Sequence, residues 1–229
     1  MAGTLYLVST PIGNLEDITL RALKVLETVD IIACEDTRRT KILLGRYSIK
    51  KPLICFHSYN QDRKSRTILK ELVSGKDVAV VSDGGTPGIS DPGSVLVRNA
   101  LLENIPVVPI PGPTAFVTAL VGSGLPTDGL VFLGFLPRKP GKMKKALSGA
   151  VGMGKTILFY ESPHRIKKTL ALCKEVFPET SACAVARELT KKFEEYIRGS
   201  ISEVHERIAA MDKVKGELVV AVSPGKKRK

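Results

Sequence analysis

The chain has 229 residues, enough to bury a good core as one large α/β domain or two small ones. Its 43% hydrophobic and 25% charged content exclude wholesale disorder. Its 35 Lys and Arg against 23 Asp and Glu leave a net charge of +12, which points to a polyanion partner, nucleic acid ahead of an anionic membrane surface.

In chain order, TLYLVS (4–9) predicts a strand and TLRALKVLETVD (19–30) an amphipathic helix with Leu20, Leu23 and Val29 on its apolar side. IIAC (31–34) predicts a short buried strand, and DTRRTKILLGRY a helix capped by Asp36 or Thr37. PLICFHS, DVAVVS and PVVPI predict further strands, interleaved with the helices DRKSRTILKELVSG, SVLVRNALLEN and PTAFVTALVG. Strands separated by helices of this length imply a parallel sheet covered on both faces.

GSGLPTDG (122–129) punctuates the chain and sets the expected boundary: residues 1–121 as one α/β domain, 122–229 as a second with a basic tail. Beyond it, LVFLGFLP predicts a strand, followed by a basic helix from Lys142, the strand TILFYES and the helix HRIKKTLALCKEVF. Two strand-like runs, 181–190 and 193–202, follow each other closely, so this second sheet is expected to be mixed. A helix around VHERIAAM and the strand GELVVAVS complete it.

Cys34, Cys55, Cys173 and Cys183 lie far apart, three in strand-like runs and one in a helix-like run. This predicts buried, reduced thiols and no metal site. No apolar run approaches the ~20 residues of a membrane span, and MAGTLYLVSTPIGN lacks the features of a signal peptide, so a cytoplasmic protein is expected.

GAVGMGKT (149–156) spells a nucleoside-triphosphate loop letter for letter. That motif needs a strand before it and a helix after it. Here a helix-like run precedes and a strand follows, so a turn is expected.

SDGGTPGISDPG (82–93) follows the predicted fourth strand. It is rich in glycine, carries Asp83 and Asp91, and has no lysine or arginine. Such a loop lets a ligand approach the backbone closely but repels polyphosphate; its acids favour ribose hydroxyls or a positive ligand. S-adenosylmethionine meets both requirements, and a plain turn with a helix cap is the alternative. STPIGNLED (9–17), IPGPTAF (110–116), FYESPHR (159–165) and VARELTKKFEE (185–195) add further polar strand ends. In open α/β sheets ligands bind beyond the carboxyl ends of strands, so a crevice is expected there.

LVSTPIGNLEDIT, ACEDTRRT, VVSDGGTPGISDPG, VVPIPGPTA, FLGFLP, FYESPHR, ARELTKKFEE and KGELVVAV occur in order from residue 5 to residue 222. Together they resemble the ribosomal RNA small-subunit (cytidine-2′-O)-methyltransferase family, of the tetrapyrrole-methylase-like class. The resemblance implies a homodimer of two α/β domains, with S-adenosylmethionine in the cleft between domains. It implies 2′-O-methylation of a cytidine in the decoding region of 16S RNA, on free RNA or on the assembled small subunit.

Position by position, the resemblance implies a donor loop of Asp83, Gly84, Gly85, Thr86, Pro87, Gly88 and Ile89, flanked by Pro113, Thr114 and Ala115. Tyr160, Glu161, Ser162, Ala186, Arg187, Glu217 and Leu218 are implied from the second half, and Pro11 and Gly13 on the acceptor side. FHSYNQDRK departs from the family's more typical His-Asn-Glu run, and KKRK stands where many members carry a further C-terminal segment.

A carboxylate accepting the 2′-hydroxyl proton would help the reaction. Glu35, Asp36 and Glu188 are the candidates, with a helix cap for Asp36 and a salt bridge for Glu188 as the competing roles. Phosphate contacts are expected from residues 37–51, including Arg38, Arg39 and Lys41, from residues 138–145, including Arg138, Lys139 and Lys142, and from Lys226 to Lys229. With 5% aromatic residues and no Trp, reading by shape and phosphate with base extrusion is favoured over a stacking platform. A small-molecule methylase of the same fold and a non-catalytic RNA-binding protein are the alternatives.

Overall fold

The computed structural model describes residues 1–225; the basic tail Lys226 to Lys229 lies outside the described residues. The chain forms two compact units, Met1–Thr114 and Ala115–Lys229.

In the first unit, β1 (Leu5–Val8), β2 (Ile31–Cys34), β3 (Leu53–Cys55), β4 (Val78–Val81) and β5 (Val107–Ile110) form a wholly parallel sheet in the order β3-β2-β4-β1-β5. Four helices connect them: α1 (Leu20–Thr28), α2 (Thr37–Arg46), α3 (Gln61–Val73) and α4 (Ser94–Leu102). Side chains alternate between faces with the two-residue period of a strand. Ile32, Cys34, Ala79 and Val81 pack with Ala22 and Leu26 of α1 and Leu43 and Leu44 of α2. Ile31, Ala33, Val78 and Val80 pack with Ile68 and Leu72 of α3 and Leu96 and Ala100 of α4. Because both faces are covered, the central strands read as unbroken apolar runs.

This arrangement positions a site. The connections leaving β1 and β2 run to helices on one face, and the connection leaving the intervening β4 runs to the other. In open α/β sheets, strand ends where connections part in this way are where ligands are seated.

In the second unit, β6 (Leu130–Phe135), β7 (Thr156–Glu161), β8 (Ala182–Arg187), β9 (Glu195–Ser200) and β10 (Leu218–Ser223) form a mixed sheet in the order β6-β7-β10-β8-β9. Only β6 and β7 are parallel; the other pairs are antiparallel. Helices α6 (Pro140–Val151), α7 (Ile166–Val176) and α8 (Ile201–Ala209) contribute Leu147, Leu170 and Val204 to its main core. Helix α5 (Ala115–Ser123) packs against β7, β8, β9 and β10. Tyr196 reaches from β9 to donate a hydrogen bond to Thr118 O at 3.0 Å.

Three expectations change. The units divide between Thr114 and Ala115 rather than at residue 122, because α5 buries Ala119 and Leu120 with the second unit's strands. Leu20 is 79% exposed, since α1 turns Ala22 and Leu26 inward instead. Cys55 is exposed, unlike the other three cysteines, because β3 is an edge strand. At the triphosphate-like motif, α6 precedes the turn and β7 follows it, with Gly154 at φ +63° in the turn. That order gives no helix N-terminus facing a phosphate.

Candidate active site

The glycine-rich loop after β4 is held by its own backbone and by the first loop. Thr10 and Gly85 exchange two N–H···O bonds, each 2.9 Å, as an isolated bridge. Thr10 Oγ1 donates to Ser82 O at 3.1 Å, and Ser82 Oγ to Gly85 O at 3.2 Å. Gly84 lies so close to Pro11 that a Cβ there would sit 3.1 Å from the Pro11 carbonyl oxygen, and Gly85 has φ +95°. Both features call for glycine. Thr86 then ties three strand ends together: its hydroxyl lies 3.0 Å from Ser9 Oγ and 2.8 Å from Thr114 Oγ1. Pro11 is buried as the floor under Gly84, while Gly13 is exposed.

The loop holds no cation of its own, but the fold supplies one. Arg39 of α2 places its Nε 3.7 Å from Asp83 Oδ2, and Asp83 Oδ1 accepts from Asp36 N at 3.0 Å. The glycine-rich loop and the start of the basic helix are therefore one bonded structure. Local sequence reading missed this pairing because its partners are 44 or more residues apart.

Asp36 is the N-cap of α2, accepting from Arg38 N at 2.8 Å. The Arg38 guanidinium closes on it with bonds of 2.7 and 3.1 Å and holds its carboxyl far below the ordinary range. Glu188, at φ +52°, accepts from Lys191 Nζ at 2.9 Å and Glu217 N at 3.0 Å. The Glu217 N–H, followed by Lys191, holds its carboxyl low. Both are engaged in structural bonds.

Glu35 differs. Its Oε1 is buried and has no hydrogen-bond partner. Burial pushes its carboxyl up, and Asp83 adds to this; the Asp83 N–H, His57 and Arg39 offset part of the effect. Asp91, further along the glycine-rich loop, is pushed up to about 7 by burial and by the charges of Glu35 and Asp83. Like charges held close cannot all ionise together. His57 lies beyond the end of neighbouring β3, with Nδ1 buried and unpartnered. In the sequence Asp91 stood out as an acid of the glycine-rich loop and FHSYNQDRK as a departure from the family pattern, but neither pointed to a raised carboxyl or to an Asn60-held His57 ring.

In the second unit, the pairing of β10 with β7 and β8 sets Leu218 opposite Glu161 and Arg187, and Val219 opposite Tyr160 and Ala186. The residues implied there therefore gather at one end of three adjacent strands. Glu161 is turned inward, 3% exposed, where Thr169 Oγ1 donates to it at 2.6 Å and Ser162 N at 2.7 Å. Arg187 bonds Glu195 at 2.8 Å, and Glu217 bonds Lys191 at 3.0 Å. Arg38, Arg39, Lys41, Arg138, Lys139 and Lys142 are all exposed. Among the described residues there is no group of three or more His, Cys, Asp or Glu placed to hold a metal, and no helix is long and apolar enough to cross a membrane.

A family model described as Tetrapyrrole (Corrin/Porphyrin) Methylases matches residues 4–205. The fold is similar to that of the methyltransferase CobJ, with TM-score 0.75 and 19% identity over 100% of this chain and 97% of that one. It is also similar to uroporphyrin-III C-methyl transferase from Thermus thermophilus complexed with S-adenyl homocysteine. There the TM-score is 0.68, with 18% identity over 96% of this chain and 97% of that one. These likenesses define the class as a methyltransferase fold of the tetrapyrrole-methylase type.

Within that class, a curated relative from Hydrogenobaculum sp. (strain Y04AAS1), "Ribosomal RNA small subunit methyltransferase I", is 49% identical over 96% of this chain and 95% of its own length. Its namesake from Bacillus subtilis (strain 168) is 47% identical over 96% of this chain and 75% of its own length. The chain belongs to the ribosomal RNA small subunit methyltransferase I family of the tetrapyrrole methylases.

Proposed function

We propose that this protein transfers the methyl group of S-adenosylmethionine to the ribose 2′-hydroxyl of a cytidine in 16S ribosomal RNA, in the decoding region. One observation carries the reading: a lysine- and arginine-free glycine loop at the carboxyl ends of β4 and β1, bonded through Asp83 to an exposed basic helix. The left-handed backbone at Gly85 and Gly88 suits a ligand held against main chain, and the exposed Asp83 carboxylate suits a positive one. These residues fit a sulfonium nucleoside, which supplies an activated methyl group on a neutral leaving sulfur.

Asp83, the glycines, Thr86, Pro87 and Ile89, with Pro113, Thr114 and Ala115, are proposed to hold the donor's nucleoside and amino groups. Tyr160, Glu161 and Ser162 at the end of β7, Ala186 and Arg187 at the end of β8, and Glu217 and Leu218 at the start of β10 are also proposed as donor-binding residues. Arg38, Arg39 and Lys41 of α2, and Arg138, Lys139 and Lys142 before and within α6, are proposed to bind RNA phosphates, with Pro11 and Gly13 on the acceptor side. Holding nucleophile and methyl in line supplies most of the acceleration, about 7–11 kcal/mol for near-attack positioning. Exposed Val117 and Val121 on α5 support an apolar contact between copies, so a homodimer is part of the reading, as is a cytoplasmic location.

The test is methyl transfer from labelled donor to naked 16S RNA and to small subunits, with the modified ribose mapped, beside calorimetric titration of the donor and of ATP. Donor binding with no ATP binding and a 2′-O-methylcytidine are expected. RNA affinity should fall steeply with salt, and removing Arg38 and Lys41 together should lower that slope by about two. ATP binding as well as the donor, or methyl transfer only to a small tetrapyrrole, would refute the reading.

A further inference from the structure

We propose that Glu35 is the proton acceptor for the ribose 2′-hydroxyl and that His57 holds that hydroxyl against it. This deepens the reading above and rests on it.

Two orphaned polar atoms on adjacent strand ends carry the inference. Asn60 fixes the His57 ring: Asn60 Oδ1 accepts from His57 N at 2.9 Å, so its amide nitrogen is the group that meets Cys55 O and His57 Nε2, each at 3.2 Å. An amide nitrogen only donates, so Nε2 accepts and the neutral ring carries its proton on Nδ1. That Nδ1–H is buried and has no acceptor. At the end of the adjacent strand, Glu35 Oε1 is buried and has no donor. The two segments are bonded side by side, with Phe56 N donating to Cys34 O at 2.8 Å and Cys55 Sγ to Glu35 O at 3.5 Å. A hydroxyl gives one hydrogen bond and takes another, and so satisfies both. Buried polar groups are seldom left unpaired unless a ligand or water completes them.

The seat adjoins the donor loop, because Asp83 takes the Asp36 N–H and gives its own N–H to Glu35. The other carboxylate candidates, Asp36 and Glu188, are committed to caps and ion pairs. In the step, the hydroxyl proton passes to Glu35 as the hydroxyl oxygen's electron pair forms the bond to the methyl carbon. The S–CH3 bond breaks and its pair stays on sulfur. A sulfonium and a carboxylate become a thioether and a carboxylic acid, so charge balances.

The experiment is single-turnover methyl transfer to small subunits by wild type, Glu35→Gln, Glu35→Asp and His57→Ala, with donor affinity measured by calorimetry. Glu35→Gln is expected to slow transfer about a hundred- to ten-thousand-fold while donor affinity stays within about threefold. Glu35→Asp, which keeps an ionisable group, should recover at least about tenfold of that loss. The wild-type rate should rise with pH as Glu35 ionises, against a flat profile for Glu35→Gln. The titratable and charged groups around it are Asp83 and Asp91 from the β4 loop, Arg39 from α2 and His57 from the β3 loop. His57→Ala should raise KM for the subunit more than it alters donor binding.

Glu35→Gln transferring at the wild-type rate overturns the proposal and leaves the methyltransferase reading standing. So does Glu35→Asp no faster than Glu35→Gln, or loss of donor binding in Glu35→Gln. No transfer by wild type removes the reading and the proposal together.

Discussion

Replacing Asp91 with Asn tests the electrostatics of the glycine-rich loop directly. The Asp91 carboxyl is pushed from its ordinary 3.8 up to about 7, first by burial and then by Glu35 and Asp83. The folded protein therefore keeps a proton on Asp91 that the unfolded chain releases near pH 4. Stability is greatest below that pH, falls as pH rises to about 7, and is flat above it. The gap corresponds to roughly 4 kcal/mol. Asp91 is partly open to solvent and shares its field with two other carboxylates, so about 1–3 kcal/mol should be realised. Asn has the same shape and cannot ionise.

Asp91→Asn should match wild type near pH 4 and exceed it by about 1–3 kcal/mol at pH 8, a large fraction of a typical folding free energy. Urea unfolding at intervals from pH 4 to pH 9, with linear extrapolation, reads the difference. A gap that does not change with pH, or one that favours wild type as pH rises, would refute the reasoning. In that case the carboxyl ionises normally, and the crowding of Glu35, Asp83 and Asp91 has no energetic consequence.

Two further outcomes follow from local packing. Gly112→Ala places a Cβ 2.8 Å from Ser9 Cβ and should cost about 1–3 kcal/mol. Gly45→Ala, inside α2 with nothing within 4 Å of the new carbon, should instead stabilise by about 0.5–1 kcal/mol. Equal effects in urea melts would show that the contact between the first and fifth strand ends is not tight. Thiol titration with Ellman's reagent should find Cys55 reacting quickly in the folded protein, and Cys34, Cys173 and Cys183 only after denaturation. Burial raises all three of those thiols, Cys173 to about 12. More than one fast thiol would contradict the packing described.

Strand and helix identity was legible along the chain because the determining signals are local. Val78–Val81 is apolar on both faces, the mark of a strand buried between helix layers, and Asp36 or Thr37 at the head of RRTKILL offers a helix cap from local chemistry alone. The glycine loop was legible for the same reason: Gly84 and Gly85 beside Asp83, with no lysine or arginine nearby in sequence, disfavour a polyphosphate before any contact is known.

The sequence could not tell which carboxylate is committed, since Glu35, Asp36 and Glu188 look alike as letters. Only folding spends Asp36 on Arg38 and Glu188 on Lys191, and leaves Glu35 Oε1 buried without a partner. Placing Arg39 beside Asp83 and α5 with the second unit also took the third dimension. Periodicity and turn chemistry act over a few residues, whereas burial, pairing and pKa depend on neighbours brought together from strand ends distant in the chain.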